Sequence, residues 1–238
     1  MRRFVRTSGA LIGLALASSL SVASAAQRVP FVGCAADGQG GPVAAPKGAP
    51  KMVNVDAASA SQLAYYQTQN SFGVLAPRGW ICFSLYGSNG VTLIVAPSGK
   101  LDDFDLHLAG PAVTLTLDSG GTSGRFDVAK YSARLFAKAE QAFIAGVIAE
   151  GVEPKENFVF APYAADKLTY RSATLVEYVT PANADGLGTS DRLQKSAQPV
   201  VGMATLRSEA DGPDFVLLAV RLAPTQAKLA AAIVGATE

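Results

Sequence analysis

The sequence predicts an α+β protein with a mainly antiparallel sheet, one long helix and a short C-terminal helix. Two observations predict this class. Several segments with strand-like patterning follow one another with only turn residues between them, and one long stretch carries helical periodicity. Hydrophobic residues make up 49% of the 238 residues, which suffices for a packed core in a single domain, expected over residues 56–238.

The first 25 residues have the pattern of a secretory signal peptide. Three arginines precede a short apolar run over residues 10–20, and a small-residue A-x-A site follows at Ala23 and Ala25. We expect a soluble mature chain that starts near Ala26 and lies in the periplasm or outside the cell. No later run reaches the roughly 18 apolar residues that a transmembrane helix needs.

The charge balance argues against two classes of partner. The whole chain has 20 basic and 19 acidic residues, and removal of the three arginines in residues 1–25 leaves 17 basic residues and a net charge of −2. Nucleic acids and anionic membrane surfaces both need clustered positive charge, so neither is expected as a main partner. The oligomeric state stays open at this stage.

We expect a Gly-, Pro- and Ala-rich N-terminal arm over residues 26–55, in which residues 34–51 are extended and form no regular element. The chain has two cysteines, and an even count in an exported protein predicts a Cys34–Cys82 disulfide that joins the arm to the domain. Loop-closure entropy puts its stabilisation at roughly 4 kcal/mol. The alternatives are a reactive thiol or metal-ligand pair, and lipid acylation of Cys34, which Val32-Gly33 precede.

The first elements after the arm are a helix and a group of strands. Asp56 suits an N-cap, and we expect a short helix from there to residue 67. Asn89-Gly90 predicts a hairpin between two strands, and apolar residues on both faces of the first of them predict a central strand. Alternating apolar residues and threonines predict a half-buried strand over residues 113–117. The strands around the hairpin and before it are expected over residues 72–76, 80–86 and 91–96.

The second half of the chain contains the long helix. Apolar residues at helical spacing run from about residue 127 to residue 150, and Gly151 provides a natural end. A short helix over residues 225–234 is expected to close the chain. The remaining strands are expected over residues 168–179, 200–207 and 215–222, with the last two forming an antiparallel hairpin.

Common catalytic motifs are missing from the sequence, and no cofactor or metal site is expected. A single histidine excludes multi-histidine zinc sites, and neither a P-loop nor a G-x-S-x-G motif occurs. The weak catalytic candidate is His107, which lies in a small acidic cluster with Asp102, Asp103 and Asp105. It has the chemistry of a general base or of one ligand in a weak cation site, and the alternative is a polar residue of a solvated loop.

Two loops are the candidate binding surfaces. The first flanks the strand over residues 80–86, and its side chains are of the types that dominate binding hot spots: Arg78, Trp80, Tyr86 and Asn89. The second is a 13-residue loop over residues 180–192, which contains Asp185 and Arg192. The structural alternatives are that Trp80 belongs to the core, that Arg78 is a turn residue and that the second loop is a mobile connector.

These observations favour a non-enzymatic protein at the cell envelope that binds an unknown envelope protein or a small ligand. The alternative is a secreted hydrolase with a Ser/His-type site, in which the fold brings Ser88 or Ser123 close to His107.

Overall fold

The computed structural model describes residues 26–69 and 72–237. The expected signal peptide over residues 1–25 lies outside the described residues. The strands are β1 (Ala26–Val29), β2 (Phe31–Gly33), β3 (Ala35–Gly38), β4 (Lys51–Asn54), β5 (Leu63–Gln67), β6 (Val74–Pro77), β7 (Ile81–Gly87), β8 (Gly90–Ala96), β9 (Ala112–Asp118), β10 (Lys167–Tyr170), β11 (Leu175–Thr180), β12 (Val200–Arg207) and β13 (Asp214–Arg221). The α-helices are α1 (Ala57–Ala60), α2 (Arg125–Leu135), α3 (Gln141–Ala149) and α4 (Ala230–Gly235), and short 3₁₀ turns cover Lys155–Asn157, Leu187–Thr189 and Pro224–Leu229.

An eight-stranded sheet with the order β10-β11-β12-β13-β9-β8-β7-β3 forms the centre of the molecule. Its pairs are antiparallel except for β3, which runs parallel to β7 at the edge. Two small sheets accompany it, one of β1 and β4 and one in the order β2-β5-β6. The prediction of a mixed fold dominated by antiparallel sheet is therefore confirmed.

Both faces of the central sheet are covered. One face packs against α4, α1 and the small β2-β5-β6 sheet through a cluster that includes Leu115, Leu218 and Ile233. The other face packs against α2 and two long loops through a cluster that includes Val128, Leu193 and Phe215. Because β9 lies between β13 and β8, its residues are buried on both sides, and the expected half-buried strand is in fact a central one.

The Cys34–Cys82 disulfide is present, with a Cα–Cα distance of 5.3 Å. It holds the start of β3 beside β7, where Ala35 pairs with Phe83. Part of the residues expected to be irregular therefore form an edge strand, because β7 supplies backbone partners that composition alone does not indicate. Gly33 is required there, since a Cβ atom would lie 1.9 Å from the Pro46 carbonyl oxygen.

The expected long helix is two helices, which is a correction. α2 ends at Leu135, and Phe136 leaves the helical conformation at φ −133° while its side chain is 3% exposed. α3 then packs back on α2 through Ala133, Ile144 and their neighbours. Helical periodicity continues across the break because both helices bury one apolar face, so the pattern does not reveal the turn.

The helix expected after Asp56 is also shorter than predicted. Asp56 caps α1 by accepting a hydrogen bond from the backbone N–H of Ser59 at 2.9 Å, as expected of an N-cap. The helix ends at Ala60, and Leu63–Gln67 form β5 between β2 and β6. Pairing with distant strands overrides the local helical pattern here. No helix within the described part of the chain is long and apolar enough to cross a bilayer.

Candidate functional site

A polar cavity of about 270 Å³ lies beside the β7–β8 hairpin. Three residues predicted to bind a ligand, Tyr86, Asn89 and Arg192, all line it. Arg192 comes from the loop before β12, so the fold brings the two predicted binding surfaces together at this point. The other lining residues are Gln39, Leu85, Gly87, Gly90, Val91, Thr92, Phe104 and Asp118.

The hairpin geometry explains how the cavity forms. Gly87 pairs with Gly90 across a two-residue turn, and Gly90 has a φ of 154°, which other residues rarely adopt. A Cβ atom on Gly90 would lie 1.9 Å from the Leu117 carbonyl oxygen, so only glycine allows β9 to approach this closely. The Asn89 carbonyl then accepts a hydrogen bond from the Ser119 N–H at 2.9 Å, which fixes the end of β9 beside the hairpin.

Asp118, the last residue of β9, is the most unusual group in the cavity. It is 6% exposed, and its carboxyl group has neither a hydrogen-bond nor an ion-pair partner within residues 26–69 and 72–237. Burial raises the pKa of this carboxyl to about 8, and the nearby charges of Asp127 and Asp191 act in the same direction. At neutral pH the group is therefore mostly a neutral acid that lines the cavity without a protein partner.

A chain of hydrogen bonds connects the sheet to the loop that carries Arg192. The Thr116 hydroxyl donates to the Asp191 carboxylate at 2.6 Å, and the Thr92 hydroxyl lies 3.1 Å from that of Thr116. Asp191 in turn lies 3.5 Å from the Arg192 Nε atom. Beside this chain, the Tyr131 hydroxyl meets Ser190 at 3.2 Å, and burial raises the pKa of that tyrosine.

Arg192 retains donor groups for a ligand. Its Nη1 atom donates to the Phe104 carbonyl at 2.6 Å, which holds the side chain against the preceding loop. Its Nε atom is buried and makes no hydrogen bond in the described structure, since the Asp191 oxygen at 3.5 Å is an ion-pair neighbour without hydrogen-bond geometry. A guanidinium group carries five N–H donors, and the described structure gives a hydrogen bond to only one Arg192 nitrogen, Nη1.

Arg221 at the end of β13 positions the loops around the cavity. It is fully buried, its Nη1 atom donates to the Leu108 carbonyl at 3.0 Å, and its Nη2 atom donates to the Gln194 carbonyl. A parallel bridge between Leu108 and Leu193 joins the same two loops. Sequence reasoning missed both Arg221 and Asp118, although a charged residue at the inward end of an apolar strand was a detectable signal.

The other predicted binding residues lie away from this cavity. The Arg78 Nη2 atom donates to the Ala60 and Leu63 carbonyls at 3.2 and 3.3 Å, so the side chain ties a turn to β5. Trp80 is half-buried against the apolar core. Asp185 is exposed and pairs with Lys195 at 3.0 Å. The loop over residues 180–192 is not displayed as a whole, because Leu187 is buried within it.

His107 lies in a different depression, of about 430 Å³, together with Asp185, Ser190 and Asp191. Its Nδ1 atom is 2.9 Å from the Asp105 carbonyl oxygen, and no hydrogen bond joins it to a serine in the described part of the chain. The hydroxyls of Ser88 and Ser123 lie 2.9 Å from each other. Across residues 26–69 and 72–237, no three His, Cys, Asp or Glu side chains meet in a way that would hold a metal ion.

A larger groove of about 530 Å³ runs between α4 and the strands β11 and β12. Val179, Val201 and Ala230 contribute to its largely apolar lining. Its main charged groups satisfy each other, since Arg171 binds Glu177 through hydrogen bonds of 2.8 and 2.7 Å. The smaller hairpin cavity is the better candidate site, because the Asp118 carboxyl group in its wall makes no hydrogen bond to the described residues.

No family model, curated protein or solved structure matches this chain, so no residue role is carried over from a relative.

Proposed function

We propose that this protein is an exported, non-enzymatic binding protein and that it holds a small polar ligand in the hairpin cavity. The observation that carries this proposal is the Asp118 carboxyl group, which is buried in the cavity wall without a partner. A carboxyl group that faces a cavity, is largely shielded from bulk water and has no protein partner is well placed to form a hydrogen bond with a ligand.

The size and lining of the cavity support a small ligand. At about 270 Å³ it lies just below the range of roughly 300–1,000 Å³ typical of drug-sized ligands. Asn89, Thr92 and Gln39 add amide and hydroxyl groups, and Phe104 adds an aromatic side chain. Such a mixture of a few polar groups with apolar walls fixes the orientation of a metabolite-sized molecule.

Export is part of the proposal and has two supports. The N-terminal pattern is that of a signal peptide, and the Cys34–Cys82 disulfide is typical of proteins in oxidising compartments. Signal processing is checked by expressing the full 238-residue sequence and sequencing the N-terminus of the purified protein. We expect the mature chain to start near Ala26.

The binding proposal is tested by a thermal-shift screen of polar metabolites against the exported protein and three variants. We expect at least one compound to raise the melting temperature of the unaltered protein but not that of Asp118→Asn or Arg192→Gln. Asp185→Asn is the matched control, because Asp185 lies outside the cavity and is exposed. Equal responses in all four proteins, or a response lost only in Asp185→Asn, would overturn the assignment of the site.

A further inference from the structure

We propose that the hairpin cavity selects a zwitterion: its ammonium group pairs with Asp118 and its acidic group pairs with Arg192. This inference rests on the proposed function and specifies the class of ligand. It follows from the opposite charges of Asp118 and Arg192, which both line the cavity, from the donors and acceptors that lack partners there, and from the size of the space.

The Asp118 side of the cavity lacks positive charge. Asp127 and Asp191 both act electrostatically on Asp118, and the Tyr131 hydroxyl group lies in the same region. Lys130 is already engaged, since it pairs with Asp127 at 3.5 Å and with Glu153 at 3.2 Å. An ammonium group supplies both the missing charge and up to three N–H donors for a carboxylate.

The Arg192 side requires the opposite charge. Its guanidinium group is held by the Phe104 carbonyl and by Asp191, and its side chain is 19% exposed, so its remaining donors face little bulk water. A carboxylate matches the planar guanidinium group through two parallel hydrogen bonds, which an alcohol or an amide oxygen does not. A ligand with a carboxylate therefore satisfies Arg192 better than a neutral polar ligand.

Neither charge alone satisfies the cavity. A simple amine would pair with Asp118 and place a positive charge in the same small space as Arg192. A simple acid would pair with Arg192 and could accept a hydrogen bond from protonated Asp118, but it would leave the negative charges of Asp127 and Asp191 that act on Asp118 without a compensating cation. A molecule that carries both groups is the ligand class that both sides attract.

The test uses a series of amino acids of increasing length: glycine, 4-aminobutyrate and 6-aminohexanoate. Butylamine and butyrate carry one charge each and serve as matched controls, and glycerol and glucose represent neutral polyols. Binding to the exported protein is measured by titration calorimetry at pH 7. We expect one member of the amino acid series to bind, and we expect Asp118→Asn and Arg192→Gln each to weaken it at least tenfold.

A proton readout separates direct pairing from a merely structural effect. An ammonium group that pairs with Asp118 displaces the proton that this carboxyl carries at pH 7, so the measured heat should depend on the ionisation enthalpy of the buffer. The affinity should rise with pH up to about 8. In Asp118→Asn the buffer dependence should vanish, whereas Asp185→Asn should retain it.

The outcomes distinguish this inference from the proposed function. If a polyol, an amine or an acid binds alone and Asp118→Asn weakens it, the cavity is a binding site but the zwitterion class is wrong. If no compound of the series binds while the metabolite screen finds a cavity ligand that lacks an ammonium or an acidic group, the zwitterion class is likewise wrong. If neither experiment finds a compound that depends on Asp118 and Arg192, both proposals fail.

Discussion

The two faces of the central sheet use the same strands and have opposite character. Toward α4, the strands β8, β9 and β13 contribute aliphatic side chains to the apolar cluster: Leu93, Val95, Val113, Leu115, Leu117, Val216, Leu218 and Val220. Toward α2, the same strands bury a set of polar side chains: Thr92, Thr114, Thr116, Asp118 and Arg221. Burying polar groups costs free energy that aliphatic residues avoid, so stability alone does not account for the second face.

This difference indicates that the two faces contribute differently to stability and to binding. The aliphatic face contributes hydrophobic stabilisation without burying polar side chains of these strands in its apolar cluster. The polar face forms the wall of the hairpin cavity and holds the two loops that complete it. Substitutions on the aliphatic face should therefore change stability without changing binding, and substitutions of the buried polar side chains on the other face should change binding, with smaller losses of stability.

Leu115→Ala should have the largest effect on stability. Leu115 is 1% exposed on the aliphatic face, and its truncation leaves a cavity that costs about 2–5 kcal/mol of unfolding free energy. Urea denaturation measures the loss, and calorimetry with the bound amino acid measures affinity. We expect the affinity of the folded fraction to stay unchanged. If the affinity of the folded fraction also fell, the two faces would be energetically coupled, and the separation of stability from binding would be wrong.

Arg221→Met should destabilise the protein less than Leu115→Ala does, and it should have a larger effect on the two loops around the cavity. The substitution keeps the length of the side chain but leaves the Leu108 and Gln194 carbonyls without this donor, at a cost of about 2–3 kcal/mol. Burial lowers the pKa of the Arg221 guanidinium group, because the buried positive charge is poorly solvated. Removal of that charge offsets part of the cost.

Hydrogen exchange gives the decisive readout for Arg221→Met. The amides of Leu108 and Gln194, which bond to the Arg192 and Leu108 carbonyls at 2.8 and 2.9 Å, should exchange faster than in the unaltered protein. Leu115→Ala, compared under conditions of equal overall stability, provides the control. If these two amides exchange at the same rate as in the unaltered protein, Arg221 does not position the loops around the cavity.

The polar face also marks the limit of prediction from the sequence. The hairpins β7–β8 and β12–β13 follow from local turn residues, and the disulfide follows from the cysteine count and the expected compartment. The threonines of β9 were expected to face solvent, because alternation reveals two faces but not what covers each one. Asp118 was missed for the same reason: its burial depends on α2 and on residues about 70 positions later, such as Asp191.

Asp118→Asn should change the pH dependence of stability. The pKa of this carboxyl is about 8 in the folded protein, against an ordinary value of 3.8 for aspartate, so the folded state binds the extra proton between these limits. Stability should therefore fall as the pH rises from 4 to 8, by at most about 1.4 kcal/mol per unit, and the asparagine variant should lack this fall.

Urea denaturation at pH 5, 6, 7 and 8 checks this dependence. The stability of Asp118→Asn relative to the unaltered protein should increase steadily across the series. Asp211→Asn, at an exposed position in the β12–β13 turn, is the matched control and should follow the unaltered protein. Parallel curves for all three proteins would mean that Asp118 is ionised or hydrated in the folded state.

Thr116→Val should have the smallest effect on stability and a specific effect on the site. The substitution preserves the shape of the side chain but removes the hydroxyl that donates to Asp191 and meets Thr92. We expect a loss of about 1 kcal/mol, because one buried carboxylate loses a hydrogen bond. Asp191 would then be less restrained beside Arg192, so the affinity for the bound amino acid should fall as well.

Thr114→Val provides the matched control for this last substitution. Thr114 lies on the same strand and the same face, it is 3% exposed, and its hydroxyl makes no hydrogen bond in the described residues. The same chemical change there should leave affinity unchanged and should leave stability unchanged or slightly higher. If both valine variants lost affinity equally, the polar face would act as packing rather than as a hydrogen-bonded support for Arg192. A loss confined to Thr116→Val would place the support in the Thr116–Asp191–Arg192 chain.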